Sequence, residues 1–170
     1  LMGTSTTYAH IRAISYALPQ GTLSNETLAA LFPEWTAEKL QRKLGIVTRH
    51  IAAEGECASD LAVNAAQVLF STGICTPVDI DYILFCTQSP DYLIPTTACL
   101  IQDRLGIPSR AGALDYNLGC SGYLYGLSLA KGLIETGQAC RVQMGEGDAR
   151  RVADGGVSAR ELHGGQVPHS

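Results

Sequence analysis

The run Tyr82-Ile83-Leu84-Phe85-Cys86 carries no charged or strongly polar residue. A strand with one face in water alternates apolar and polar side chains. An unbroken apolar run of this length therefore fits a strand covered on both faces, as in a parallel sheet sandwiched by helices. The segments around it supply the helices. Ser59 to Ser71 follows a Ser-Asp start, places Leu61, Ala62, Ala65, Ala66, Val68 and Leu69 at helical spacing, and closes at Gly73. Thr97 to Leu105 reads as a second helix, ended by Gly106 and Pro108, and Cys120 to Thr136 as a third and longest, ended by Gly137. Ala111 to Tyr116 reads as a strand between the last two.

Ahead of this core region, His10 to Leu18 alternates enough for a strand and Pro19-Gln20-Gly21 ends it with turn residues. Ser24-Asn25 offers a helix cap for Thr27 to Phe32, which Pro33 breaks. Thr36 to Leu44 is an amphipathic helix stopped by Gly45, and Ile46 to Ile51 is a short extended piece. The resulting order of strands and helices implies an α/β layer architecture with a mainly parallel sheet.

From Gln143 to Ser170 the texture changes. No aromatic residue and no isoleucine occurs there, and glycine recurs among scattered charges. Such a stretch cannot offset the entropy of its own ordering by burial, so the expected organisation is a domain over 1–142 and a flexible, glycine-rich tail over 143–170.

With 46% hydrophobic residues, 170 residues can bury a core without disulfides or metal. A formal charge of −4 argues against nucleic acid or an anionic membrane as a partner, since both require clustered Lys and Arg. No apolar run approaches the ~20 residues of a membrane span, and the N-terminus lacks signal-peptide features, so the expectation is a soluble cytoplasmic protein. The six cysteines form no C-x-x-C pair and the four histidines no i, i+4 pair, so no metal site is expected and most cysteines read as small buried residues.

Chemistry concentrates in Asp115-Tyr116-Asn117-Leu118-Gly119-Cys120-Ser121-Gly122-Tyr123, where a strand passes through a glycine-flanked turn into the long helix. At a helix start, unpaired N–H groups and the positive end of the dipole favour a thiolate. The small neighbours admit a substrate carbonyl, and the N–H of Cys120 is a candidate oxyanion donor. Those are the needs of an acyl-accepting nucleophile. The plainer alternative is a buried thiol with glycines serving only the turn. A G-x-S-x-G elbow is not matched, because Tyr123 stands where the second glycine would be.

From Ile11 to Gln138 the chain resembles the N-terminal half of the β-ketoacyl-acyl-carrier-protein synthase III family, relatives of thiolases. The resemblance rests on Leu18-Pro19 with Ser24-Asn25, Leu44-Gly45-Ile46 with Arg49-His50-Ile51-Ala52, Ile94-Pro95-Thr96-Thr97-Ala98-Cys99 with Ile101-Gln102 and Leu105-Gly106-Ile107, and Asp115 to Gly122. It implies a thiolase-like fold of which this chain holds one βαβ-rich half, a homodimer, no permanently bound cofactor, and an acyl group passed from coenzyme A or acyl carrier protein to Cys120. It also implies decarboxylative condensation through a histidine and an asparagine of the second half. His163 and His169 lie without the family's surrounding pattern, so the expectation is a truncated chain unable to condense. The alternative is a non-catalytic fragment or interaction subunit that pairs with another condensing chain.

Ile94 stands where the family places a residue that reaches into the partner's acyl pocket; the other reading is an ordinary buried aliphatic. Cys99, Arg49 and His50 read as structural. Lys39 and Lys43 occupy the positions of the family's adenine-clamping Trp and Arg. Lys43 is thus a candidate phosphate contact without planar stacking, and Trp35 lies several residues too early. Where the family continues into a buried valine-rich strand, this sequence gives Arg141-Val142-Gln143-Met144-Gly145, so a central strand is expected to be missing. The Arg, Gly and Ala bias beyond resembles translation of a high-GC gene in a shifted frame. Reading one base over near codon 142 of the coding sequence should then restore an apolar strand.

Overall fold

The computed structural model describes residues 8–147, which divide into two compact units. The smaller spans 19–55. Its strands β1 (Gly21–Ser24) and β2 (Thr48–Ile51) pair antiparallel, with Gly21 opposite Ile51 and Ser24 opposite Thr48. Between them lie α1 (Asn25–Leu31) and α2 (Ala37–Leu44). Ser24 Oγ accepts the N–H of Thr27 and Thr36 Oγ1 that of Lys39, each satisfying a donor that a helix start leaves unpaired. Gly45 ends α2 at φ 68°, a left-handed conformation that glycine adopts without a Cβ penalty. Asn25, 2% exposed, stitches the unit together: Nδ2 donates to Ile46 O at 2.7 Å and Oδ1 accepts from Arg49 Nη1 at 2.8 Å.

The larger unit comprises 8–18 and 56–147. In chain order it holds α3 (Ala58–Ser71), β3 (Tyr82–Cys86), α4 (Thr97–Leu105), β4 (Gly112–Tyr116), α5 (Gly122–Glu135) and β5 (Val142–Glu146). The sheet order is β4-β3-β5 with both pairings parallel. Parallel pairing and central position together explain the apolar run: Ile83, Leu84, Phe85 and Cys86 are each 1% exposed, and burial of a side chain such as Ile, Leu or Phe contributes roughly 1.5–3 kcal/mol. Ile83 and Phe85 face a core built with Val63, Ala66, Ala98, Ile101 and Leu105 of α3 and α4. The alternate face of the strand meets α5, where Cys86 Sγ lies against Gly122.

Antiparallel pairing is confined to the β1–β2 ribbon, and the three-stranded sheet is wholly parallel. Two expectations fail. Residues 8–19 form neither helix nor strand, although Ser15 Oγ donates to Ala65 O of α3 at 2.7 Å; the first strand is Gly21–Ser24, beginning at the last residue of the expected Pro19–Gly21 turn. The central strand expected to be missing is present as β5, with Val142 opposite Tyr82 and Glu146 opposite Cys86. Main-chain groups make that ladder, so it forms without the valine-rich pattern. The boundary expected after residue 142 falls within β5, while the rest of the proposed tail from residue 148, with His163 and His169, lies outside the described residues. Among the described residues no helix is long and apolar enough to cross a membrane, and no group of three or more His, Cys, Asp or Glu side chains could hold a metal ion.

Candidate active site

Connections leave the carboxyl ends of β3 and β4 toward opposite faces of the sheet. The chain passes from β3 to α4, on the face shared with α3, and from β4 to α5, on the other. In open α/β sheets, adjacent strands whose connections diverge in this way leave a crevice at their carboxyl ends, where ligands bind. Two loops border it: 87–96 after β3 and 117–121 after β4. The first is tied to the end of β4, since Thr87 N–H donates to Tyr116 O at 3.2 Å, and Gln88 Nε2 lies on the side of Gly119 where a Cβ would stand.

Cys120 sits on the second loop and is exposed. Gly122 N–H donates to Gly119 O at 2.7 Å, closing a turn with Cys120 and Ser121 at its centre. The helix begins at Gly122, two residues later than the sequence pattern suggested, with Ser121 as its cap residue. The sulfur thus sits on the turn leading into α5 rather than on its first helical residue, still beside the positive end of the helix dipole.

What holds this turn was not visible in the motif alone. Tyr116 Oη donates to Gly122 O at 3.0 Å, tying the last residue of β4 to the first of α5 across the Cys120 turn. Burial, with further contributions from Cys86 and Glu146, pushes the Tyr116 hydroxyl up to about 12, so it stays protonated and able to donate. Cys86 Sγ donates to Leu118 O at 3.3 Å. A Cβ on Gly122 would overlap Cys86 Sγ, and one on Gly126 would overlap Tyr116 Oη. The sequence signal for this packing is the pair Gly122 and Gly126, one turn apart on the helix face that meets the strand ends.

Ile94 belongs to the first loop and does not behave as a buried aliphatic: it is 89% exposed, Leu93 is 92% exposed, and Tyr92 is exposed beside them. The reading of most cysteines as buried is corrected, since only Cys86 is buried among the six. Cys99, expected to pack, is exposed and accepts from Thr96 Oγ1, because α4 turns Thr97, Ala98, Ile101 and Leu105 inward instead. His50 Nδ1 lies 2.7 Å from Pro19 O, a local structural contact.

Lys43 is in the smaller unit. Its Nζ stands 5.4 Å from the Trp35 ring centre, and Lys39 Nζ stands 4.5 Å from the same ring. Residues 39 and 43 share a helix face, so Trp35, too early in sequence, is nevertheless brought beside both.

Comparison with known proteins bears on this arrangement. A β-ketoacyl-acyl-carrier-protein synthase III from Xylella fastidiosa is 41% identical over 130 residues, covering 76% of this chain and 40% of that protein. A crystal structure of a 3-oxoacyl-acyl-carrier-protein synthase III superposes with a TM-score of 0.79 at 53% identity, over 84% of this chain and 42% of the other. The chain is a relative of the β-ketoacyl-acyl-carrier-protein synthase III family, matched over its N-terminal half. A 3-oxoacyl-acyl-carrier-protein synthase from Burkholderia xenovorans agrees, with a TM-score of 0.76 at 32% identity over 82% of this chain. The chain spans about 40% of the length of these synthase III relatives. No family model matches it. The thiolase-like α/β fold expected from the sequence, incomplete relative to the full fold, is the one observed.

Proposed function

We propose that this chain carries the acyl-accepting half of a synthase III-type condensing enzyme, with Cys120 as the nucleophile. The observation that carries the reading is an exposed cysteine on a tight turn between a parallel strand and a helix start, beside a loop of exposed apolar side chains. The Cys120 sulfur attacks the carbonyl carbon of an acyl thioester, the oxyanion of the tetrahedral intermediate is met by backbone N–H at the turn, and the donor thiolate departs. It takes up the proton that Cys120 gave, so one thioester is exchanged for another. The donor is acyl-coenzyme A or acyl carrier protein; neither stays bound as a cofactor. Lys43, in the smaller unit, is the proposed phosphate contact. Ile94 is the proposed gate of an acyl pocket completed by a second copy in a homodimer, a reading its exposure supports. A cytoplasmic setting fits these substrates.

The resemblance assigns condensation to a histidine and an asparagine of the family's second half, and acyl transfer to Cys120 is the step proposed for the residues described. Incubating the 170-residue protein with acetyl-coenzyme A and measuring its intact mass tests it. One acetyl adduct mapping to Cys120, absent from Cys120→Ala, is expected. Cys99 and Cys140 are also exposed and serve as internal controls. An adduct on those residues alone, or none on a folded protein, overturns the nucleophile assignment and leaves the interaction subunit as the reading.

A further inference from the structure

Both limbs of the exposed apolar loop are fastened to two consecutive residues of β4. At the entry, Thr87 N–H donates to Tyr116 O at 3.2 Å. At the exit, the carboxylate of Asp115 accepts two amides of the α4 start, Thr97 N–H at 2.6 Å on one oxygen and Ala98 N–H at 2.7 Å on the other. Thr97 is fully buried, and its Oγ1 accepts Asp91 N–H at 3.2 Å. The Asp91 carboxylate in turn accepts Ser59 N–H of α3 at 3.2 Å. From Asp115 the chain runs only five residues to Cys120, by way of Tyr116, whose hydroxyl pins the start of α5.

Between these fastenings Tyr92, Leu93 and Ile94 stand in solvent. A loop with loose ends would let such side chains collapse onto nearby apolar surface; a loop held at both ends keeps them presented. Two short hydrogen bonds to one carboxylate are stronger than neutral ones and fix direction as well as distance.

Resting on the assignment of Cys120 as acyl acceptor, we infer that Asp115 is a positioning residue: it holds the Tyr92–Ile94 loop in fixed register with the Cys120 turn and thereby sets which acyl chains fit the pocket that Ile94 gates. It touches neither substrate nor sulfur. Its effect passes through the first turn of α4 on one side and through β4 and Tyr116 on the other.

The test compares the full chain with Asp115→Asn, which keeps the shape but turns an NH2 group toward one of the two amides. Hydrogen exchange read by mass spectrometry should accelerate about tenfold or more in peptides covering 88–98 and, together with them, 117–123, with α3 and the remainder of α5 little changed. The ratio of Cys120 acylation rates with acetyl- and octanoyl-coenzyme A should shift by about tenfold. A merely structural aspartate would lower both rates alike by lowering the folded fraction, leaving that ratio constant. Exchange that rises in the loop alone, rises everywhere, or does not rise, or a constant ratio, overturns the inference. If the unmodified protein takes neither acyl group, the nucleophile assignment fails, while coupled exchange at the two segments still decides the clamp. Should Asp115→Asn fail to fold, Thr97→Val loosens the loop at the Asp91 contact. It is then expected to raise exchange over 88–98 and move the ratio, and no change in either overturns the proposal.

Discussion

Gly122 shows how far a single missing Cβ shapes the site. The helix that follows Cys120 can start where it does only because Gly122 has no Cβ, since Cys86 Sγ occupies the space one would need. Gly122→Ala is expected to destabilise the fold by about 1–3 kcal/mol through overpacking, and to slow acylation of Cys120 beyond that loss by displacing its turn. Urea unfolding and intact-mass acylation check the two effects. The double variant Gly122→Ala with Cys86→Ala should recover much of both, and if it recovers neither, the close approach of Cys86 to the helix start is not what fixes the turn. Tyr116 makes a second prediction. Its hydroxyl is raised above its ordinary value of 10.0 to about 12, so the folded form keeps the proton more tightly than the unfolded chain. Stability from this group is complete below about pH 10 and is lost as pH rises through about 12. Melting temperature measured across that range should fall more steeply for the native protein than for Tyr116→Phe. Equal slopes would place the alkaline loss elsewhere.

At the scale of elements, β5 shows where side-chain pattern and backbone structure part company. Its main chain pairs with β3 along five residues, yet Gln143 puts a side-chain oxygen into the unit with no hydrogen-bond partner among the described residues. An unpaired buried carbonyl costs about 1–3 kcal/mol. Gln143→Leu should therefore raise stability by about 1 kcal/mol, seen as a higher midpoint in urea; a loss instead would mean that the amide is satisfied in solution. The same residue explains why β5 was illegible in sequence: a ladder needs only N–H and C=O groups, and Val142-Gln143-Met144-Gly145-Glu146 lacks the apolar continuity of a central strand. β1 escaped notice for a related reason, since its partner lies at Thr48–Ile51, some distance along the chain. By contrast β3, α3, α4 and α5 could be read to within a residue or two, because each buries an apolar set at its own period and carries a stop such as Gly106 or Gly137. Cys120 was legible as the residue between two glycines at a strand-to-helix passage. Asp115 and Tyr116 were not, because a carboxylate that caps a helix eighteen positions earlier leaves no local signature.

For the molecule as a whole, the burden falls on apolar surface that the described residues leave uncovered. On α5, Leu124 is 65% exposed, and Tyr125 and Leu129 are exposed on the same helix. Leu93 and Ile94 stand out on the loop of the same unit. Single exposed apolar residues are ordinary, but a helix presenting Leu124, Tyr125 and Leu129 to water has a stripe suited to packing against another layer. A chain that spans about 40% of its relatives' length brings no such layer within the described residues. The 170-residue protein is therefore expected to self-associate, its weight-average mass in sedimentation equilibrium rising with concentration over the micromolar range. Leu124→Glu combined with Leu129→Glu should shift it toward monomer, since a charge on that stripe must be desolvated to bury it. Leu93→Glu reads the loop separately: if it alone abolishes association, contact between copies runs through the acyl loop, and if only the helix variant does so, it runs through α5. A protein that stays monomeric without any substitution would mean that these side chains find cover within the chain itself, and the homodimer proposal would lose its physical motive.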